Sequence, residues 1–311
     1  VKRKIVDVPV LARIHYNEHV GSGSKYADES FLSMNYLANY YLGESKDDTV
    51  EKYIKEHNLY KVDRMGEKAP DYTRVPTDLI FRYGCSDGRI TYKLGATLLN
   101  LIGEMNQKLT DERPEGYKDL WNLVKQETTL TPNVEDMRAR GMRLDVEYTE
   151  RAYEYELNLS NYLEAQALEI IGKDSFNLNS GKQLADYLMN DLNIELPKVL
   201  DKKSKEWKGN YKTDAKTLEG IKDKAPVIET IVGSKKALKK ANTYYKNFLK
   251  LRDERDVIHC GLGQENTKTG RFSSFNPNLQ NLTKEEWTGE EEFLLRNSFI
   301  PRDGYRLFFF D

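Results

Sequence analysis

Three groups of side chains in this sequence have the types and spacing to do chemistry. Tyr83, Asp87 and Thr91 recur at i, i+4 and i+8, which places them on one helix face, each about 40° round from the last. A phenol and a carboxylate arranged in this way can meet one site, although an exposed helix carries such residues for solubility more often than for catalysis. The second group is the lysine string Lys235, Lys236, Lys239, Lys240 and Lys246, with Asn242 and Thr243 among them. Lysines at i, i+4 repel one another unless an anion relieves them. A nucleic-acid backbone is the natural relief, since each phosphate neutralised releases condensed counterions, and a solvated helix surface is the alternative. The third group lies in 267–281, where Lys268, Thr269, Gly270, Arg271, Asn278, Gln280 and Asn281 are crowded together. Gly270 permits close backbone approach, Arg271 offers a planar fork, and the amides can donate to acceptors such as purine N3 and pyrimidine O2 in a minor groove. Reading those acceptors tests base-pair shape without reading sequence. A structural loop using Asx turns would have the same composition.

These groups need elements to hold them. A chain of 311 residues implies about two domains and enough length to bury a core. With 32% charged, 39% hydrophobic and 11% aromatic residues it should fold. No run of about 18 apolar residues is present, and Asp7 and Pro9 break the first segment, so neither a membrane span nor a signal peptide is expected. Cys85 and Cys260 stand far apart without a CxxC or Cys/His cluster, which argues against zinc or a disulfide framework and for reduced thiols. The net charge of -2 hides a local imbalance: 201–252 holds fifteen Lys and Arg against six Asp and Glu, which points to a localised polyanion contact.

The pattern up to about residue 110 reads as an α/β unit. Ile5 to Val8 resembles a short strand, and Pro9 opens a helix through Leu11, Ala12 and Ile14. Asp28 can cap a helix with Phe31, Met34, Leu37, Ala38 and Tyr41 on its apolar face and Gly43 to stop it. Pro76 starts another helix through Leu98, with Gly84 and Gly88 casting doubt on its straightness. From 113 to 255 the period is helical, with Ser180 opening one helix and 226–251 forming another. Its Lys-rich stretch 201–210 reads as a loop or hairpin. After residue 256 short β-like pieces return, Val257-Ile258-His259 and Arg306 to Phe310. The chain begins at Val1 and stops at Asp311 straight after that last apolar run, so an internal fragment of a longer polypeptide is expected.

The string 267–281, preceded by Val257-Ile258-His259 and followed by Leu295-Arg296-Asn297-Ser298-Phe299-Ile300-Pro301, Gly304-Tyr305 and Asp311, closely resembles family A DNA polymerases of the bacterial polymerase I and phage replicative type. Ser234-Lys235-Lys236-Ala237-Leu238-Lys239-Lys240-Ala241-Asn242-Thr243-Tyr244 is similar to the family's thumb helix. Phe176-Asn177-Leu178-Asn179-Ser180-Gly181-Lys182-Gln183-Leu184 is similar to the start of the thumb, and Met137-Arg138-Ala139-Arg140-Gly141-Met142-Arg143-Leu144-Asp145 to the join between exonuclease and polymerase. Arg82-Tyr83-Gly84-Cys85-Ser86-Asp87 with Thr91 and Leu94 resembles the third motif of the 3'-5' exonuclease. Two departures are visible: Lys235 stands where Arg is more usual, and Leu282-Thr283 where an apolar-Pro pair is common.

The resemblance implies an α+β, mostly helical fold. Residues 1–112 would be the C-terminal part of an RNase H-like α/β 3'-5' exonuclease domain, 113–255 linker helices and the thumb, and 256–311 the start of the palm. It implies that Asp311 and Asp87 each ligate Mg²⁺ in two-metal sites incomplete within this chain, and that Tyr83 orients an attacking water. Lys235, Lys236, Lys239, Lys240, Asn242, Thr243, Lys268, Thr269, Arg271, Asn278, Gln280, Asn281 and Arg296 would contact DNA. Primer-template DNA and a deoxynucleoside triphosphate are the expected partners, a processivity factor a possible one, and the cytoplasm of a bacterial or phage-infected cell the expected location. The fragment itself should bind duplex without polymerising or proofreading, because two metals need more than one protein carboxylate. The alternative is a non-catalytic DNA-binding subunit of a naturally split polymerase.

Overall fold

Capping residues set several of the helix boundaries in the computed structural model, which describes residues 6–16, 32–62, 68–112, 119–173, 175–201, 204–267, 269–282 and 293–308. Helix α1 (Val8–His15) has Pro9 in its first turn, where a missing N–H forfeits no hydrogen bond. Helix α2 (Met34–Leu42) starts where Ser33 Oγ accepts from the Tyr36 N–H and stops at Gly43, whose φ of +64° is left-handed. After α3 (Thr49–Glu56) and the hairpin β1 (Tyr60–Val62) and β2 (Lys68–Pro70) comes α4 (Thr77–Glu112). Asp119 caps α5 (Leu120–Arg140) through the Trp121 N–H. Strand β3 (Met142–Leu144) leads to α6 (Val146–Ile171), capped by Asp145, and Ser180 caps α7 (Gly181–Asp186). The strands β4 (Lys198–Leu200) and β5 (Trp207–Tyr211) form an antiparallel hairpin before α8 (Ala215–Glu219). Helix α9 (Pro226–Lys239) runs through a wider turn, Lys240–Tyr245, into α10 (Lys246–Leu251). Four short strands close the order: β6 (Val257–Ile258), β7 (Gly261–Gly263), β8 (Ser273–Phe275) and β9 (Phe299–Ile300).

The Lys-rich stretch is thus a hairpin, and 226–251 is continuously helical, as the sequence leads one to expect. Elsewhere burial decided differently. Val6 and Asp7 lie in no strand and Val8 is already helical, because Pro9 fixes the first turn and Val8, Leu11 and Ala12 bury against Ile90, Leu94 and Leu98. Ser33 rather than Asp28 caps α2; Asp28 and Phe31 lie outside the described residues. Gly84 and Gly88 do not interrupt α4, whose buried stripe of Ile90, Leu94, Leu98 and Ile102 outweighs the roughly 1 kcal/mol that each glycine costs a helix. Arg306 to Phe308 form no strand, and Phe309 and Phe310 lie outside the described residues. Among the described residues no helix is long and apolar enough to cross a membrane.

The chain divides into two compact units, Val1–Gly141 with His259–Asn281, and Met142–Ile258 with Leu282–Asp311. The units do not follow the boundaries at 112 and 255 drawn from sequence. In the first unit, α5 packs with α1 and α4, and the β7–β8 hairpin returns to it through side chains on α1 and α5. In the second, β3 is the centre of an antiparallel sheet of order β6-β3-β9, with Met142 opposite Ile258 and Leu144 opposite Phe299. Its main core joins Leu184, Leu188, Leu218, Ile228 and Ile231. Helices α6 and α9 are locked by a reciprocal pair of buried bonds: Ser160 Oγ donates to the Ser234 carbonyl, and Ser234 Oγ to the Ser160 carbonyl, both at 3.0 Å.

Candidate nucleic-acid interface

In the first unit the β7–β8 hairpin presents the donor-rich string. Gly261 pairs with Phe275 and Gly263 with Ser273. The Phe275 ring lies where a Cβ on Gly261 would stand, so only glycine fits there. The connecting turn is framed by its own polar atoms: Thr267 Oγ1 donates to the Arg271 carbonyl at 2.6 Å and Asn266 Nδ2 to Ser273 Oγ at 2.9 Å. Gly270 takes a φ of +71°, a left-handed value that costs a residue with a side chain about 1–2 kcal/mol. The result is that Thr269, Gly270 and Arg271 are exposed, and Arg271 makes no ion pair among the described residues. Beyond β8, the buried Ser274 Oγ donates to the Pro277 carbonyl and accepts from the Leu279 N–H, both at 3.2 Å. Asn278 Oδ1 accepts from the Gln280 N–H at 3.1 Å. That turn spends the Asn278 oxygen and leaves its amide hydrogens as donors. Asn278, Gln280 and Asn281 are exposed; Lys268 lies outside the described residues.

In the second unit the lysines of α9 and the turn after it are spent unequally. Lys236 lies 2.7 Å from Glu219, whose other oxygen is 2.9 Å from Lys222. Hydrogen bonds from Lys236 and Lys222 bring the Glu219 carboxyl down to about 2. Lys240 points inward to the buried Glu156 at 3.4 Å. Lys235 is half-buried, and burial lowers its pKa against an opposing attraction to Glu164. Lys239 and Lys246 are exposed without an ion pair among the described residues, and Asn242 and Thr243 are exposed between them. Sequence reading missed Glu156. Its signal was its place four residues from both Ala152 and Ser160 on the buried stripe of α6. Arg296 lies half-buried in a tight turn, Leu295–Ser298. Tyr148 Oη fixes that turn, donating to the Leu294 carbonyl at 3.0 Å and accepting from its N–H at 2.7 Å.

Tyr83, Asp87 and Thr91 do share α4, with Tyr83 and Asp87 half-buried and Thr91 exposed. The Lys46 ammonium, 3.1 Å from Glu51, stands 4.9 Å from the centre of the Tyr83 ring. Burial raises the Tyr83 phenol's pKa, while the hydrogen bond with Lys46 works against the rise. Asp87 Oδ1 is buried and accepts no hydrogen bond among the described residues, which fits one bond to a cation. Among the described residues no group of three His, Cys, Asp or Glu side chains could hold a metal, and Asp311 lies outside them.

Comparison with known proteins agrees across sequence and fold. The sequence profile of DNA polymerase family A matches residues 147–311. DNA polymerase I of Borreliella burgdorferi is 30% identical over 261 residues, 84% of this chain and 26% of that protein. DNA polymerase I of Helicobacter pylori strain J99 is 38% identical over 184 residues, 59% of this chain and 19% of that protein. The chain therefore spans about a quarter or less of the length of these relatives. A solved structure of the POL domain of Pol1 from M. smegmatis, in complex with DNA primer-template and dNTP, has the same fold over 96% of this chain and 41% of its own, with a TM-score of 0.68 at 20% identity.

Proposed function

The chain belongs to DNA polymerase family A, and on that premise we propose that its 311 residues are the duplex-holding part of a DNA-directed DNA polymerase. The observation that carries this reading is the β7–β8 turn with the segment just after β8, two hydrogen-bonded frames that leave Arg271, Asn278, Gln280 and Asn281 exposed. In the longer enzyme a primer 3'-hydroxyl attacks the α-phosphorus of a deoxynucleoside triphosphate. Arg271 and the three amides would meet the minor-groove acceptors of the newest base pairs, which occupy the same places in every correct pair. Lys239 and Lys246, with Asn242 and Thr243, would track phosphates, and Lys235 would add a partly desolvated charge. Arg296 would face the reacting nucleotide.

Bound divalent cations would supply Lewis-acid stabilisation, with Asp311 holding them at the polymerase centre and Asp87 holding one in an attached 3'-5' exonuclease domain. There Tyr83 would orient water. The assignment of exonuclease, thumb and palm to 1–112, 113–255 and 256–311 belongs to the same proposal, as do a cytoplasmic location and a processivity partner. This reading assigns the polymerase centre one carboxylate of this chain, Asp311, and two metals need more than one, so the chain should hold DNA without extending it.

Fluorescence anisotropy of a labelled primer-template duplex, titrated with the chain across a series of KCl concentrations, tests the reading. The expected log Kd rises linearly with log salt, by about 0.9 for each phosphate neutralised. Equal binding at low and high salt would contradict it.

A further inference from the structure

The turn that carries Arg271 is pinned at its base from two helices of its own unit. Arg13 on α1 is only 9% exposed, and its Nε donates to the Glu265 carbonyl at 2.6 Å. On α5, Glu127 receives the Gln264 amide, 2.8 Å to Oε2 and 3.3 Å to the backbone oxygen. Beside these bonds lies a cavity of about 300 Å³, lined in part by Arg13, Glu127, Thr267, Thr269 and Gly270. Close packing therefore does not fix the turn; hydrogen bonds do. A guanidinium donating to a carbonyl is a charge-assisted bond, stronger than a neutral one. Burial lowers the Arg13 pKa, which the nearby Glu265 carboxylate partly offsets. Val8, Leu11 and Ala12 form the contact of α1 with the core, and Arg13 is buried on another face of the helix beside Val10.

We propose that Arg13 is a positioning residue for the DNA contact of Arg271, setting through Glu265 where the turn's guanidinium meets the minor groove. The path is short and runs through the bonds of the turn: Arg13 to the Glu265 carbonyl, the adjoining Asn266 to Ser273 Oγ, and Thr267 Oγ1 to the Arg271 carbonyl. The inference rests on the minor-groove reading of the turn, and its test separates the two.

In the intact polymerase, single-turnover extension is compared for a primer ending in a purine and in its 3-deaza analogue, which lacks the N3 acceptor. The wild-type enzyme should extend the analogue about tenfold more slowly, the loss expected when a charged donor forfeits its acceptor. Arg271→Ala should be slow on both primers with a ratio near unity. Arg13→Met, which keeps the apolar stem, should show the same flattened ratio, and Arg13→Lys, which keeps the charge without the fork, an intermediate one. An Arg271→Ala enzyme with the full tenfold ratio overturns the minor-groove reading itself. A flattened ratio in Arg271→Ala beside the wild-type ratio in whichever Arg13 variant folds overturns the positioning role alone, since a merely structural residue would slow both primers equally.

Discussion

The β7–β8 turn and the lysine-bearing helix α9 look alike in sequence, both polar and rich in donors, yet the fold uses them differently. In the turn the oxygens are consumed: Thr267, Ser273, Ser274 and Asn278 frame the backbone, while the Arg271 guanidinium and the Gln280 side chain stay exposed. Along the helix the cations are consumed instead, Lys236 by Glu219 and Lys240 by Glu156, with Lys235 half-buried. A surface left with donors suits an acceptor-lined groove, whereas of the five lysines singled out in sequence Lys239 and Lys246 are the two left exposed without an ion pair among the described residues. A count of lysines in sequence is thus an upper bound on the charge offered to a ligand.

Variants can break this contrast. The largest effect should come from Lys240→Met, which deprives the buried Glu156 of its cation. Loss of one partner of a fully buried pair costs about 3–5 kcal/mol, and the 22% exposure of Lys240 reduces this to about 2 kcal/mol. Urea unfolding should show the loss with the salt slope of DNA binding unchanged; a lower slope at full stability would put Lys240 on the DNA. Arg271→Ala should reverse the pattern, costing about 1–3 kcal/mol in extension of a matched primer by the intact enzyme, with unfolding unaltered. Unchanged extension kinetics would remove its role.

Smaller effects sharpen the comparison within the helix. Lys239→Ala should lower the salt slope of duplex binding by about 1, and Lys236→Ala by less, because Glu219 already holds that charge. Equal decreases in the same anisotropy titration would mean that the Glu219 pair opens on DNA. The smallest effect is one of pH. Burial disfavours the charged form of Lys235 and sets its pKa below the ordinary 10.5, so its charge is present below that lowered value and is lost as pH rises through it. Duplex affinity should therefore begin to fall before pH 10.5, and Lys235→Arg should postpone the fall. The unfolded chain holds the proton longer than the fold does, so in this window the group's contribution to stability rises with pH, and the lost affinity is not unfolding. Identical alkaline profiles for the two proteins would contradict the assignment.

What could be read from sequence was local. The apolar stripe Ile228, Ile231, Leu238, Ala241, Tyr245 and Phe248 marked the buried face of 226–251, where all but the half-buried Leu238 are buried, and Gly43 and Ser180 marked helix ends where the structure has them. The donors of the turn were visible as residue types. The residues that hold them in place were not, because Arg13 and Glu265, or Glu156 and Lys240, meet only when distant segments pack. Of the strand expected at Ile5 to Val8, the described residues Val6 to Val8 form none for the same reason: an apolar run this short is equally good as a helix face, and the core against α4 chose.

The central claim, that this turn lies in the minor groove beside the primer end, can be read directly from a tethered cleavage reagent. Iron-EDTA attached through Thr269→Cys, in a Cys85→Ser, Cys260→Ser background because Cys85 is exposed, would generate hydroxyl radicals at the tip of the turn. The account predicts cuts on both strands next to the primer 3' end, offset toward the 3' side on each strand, as a minor-groove source produces. Intact DNA, or cuts spread along the duplex without that offset, would contradict it.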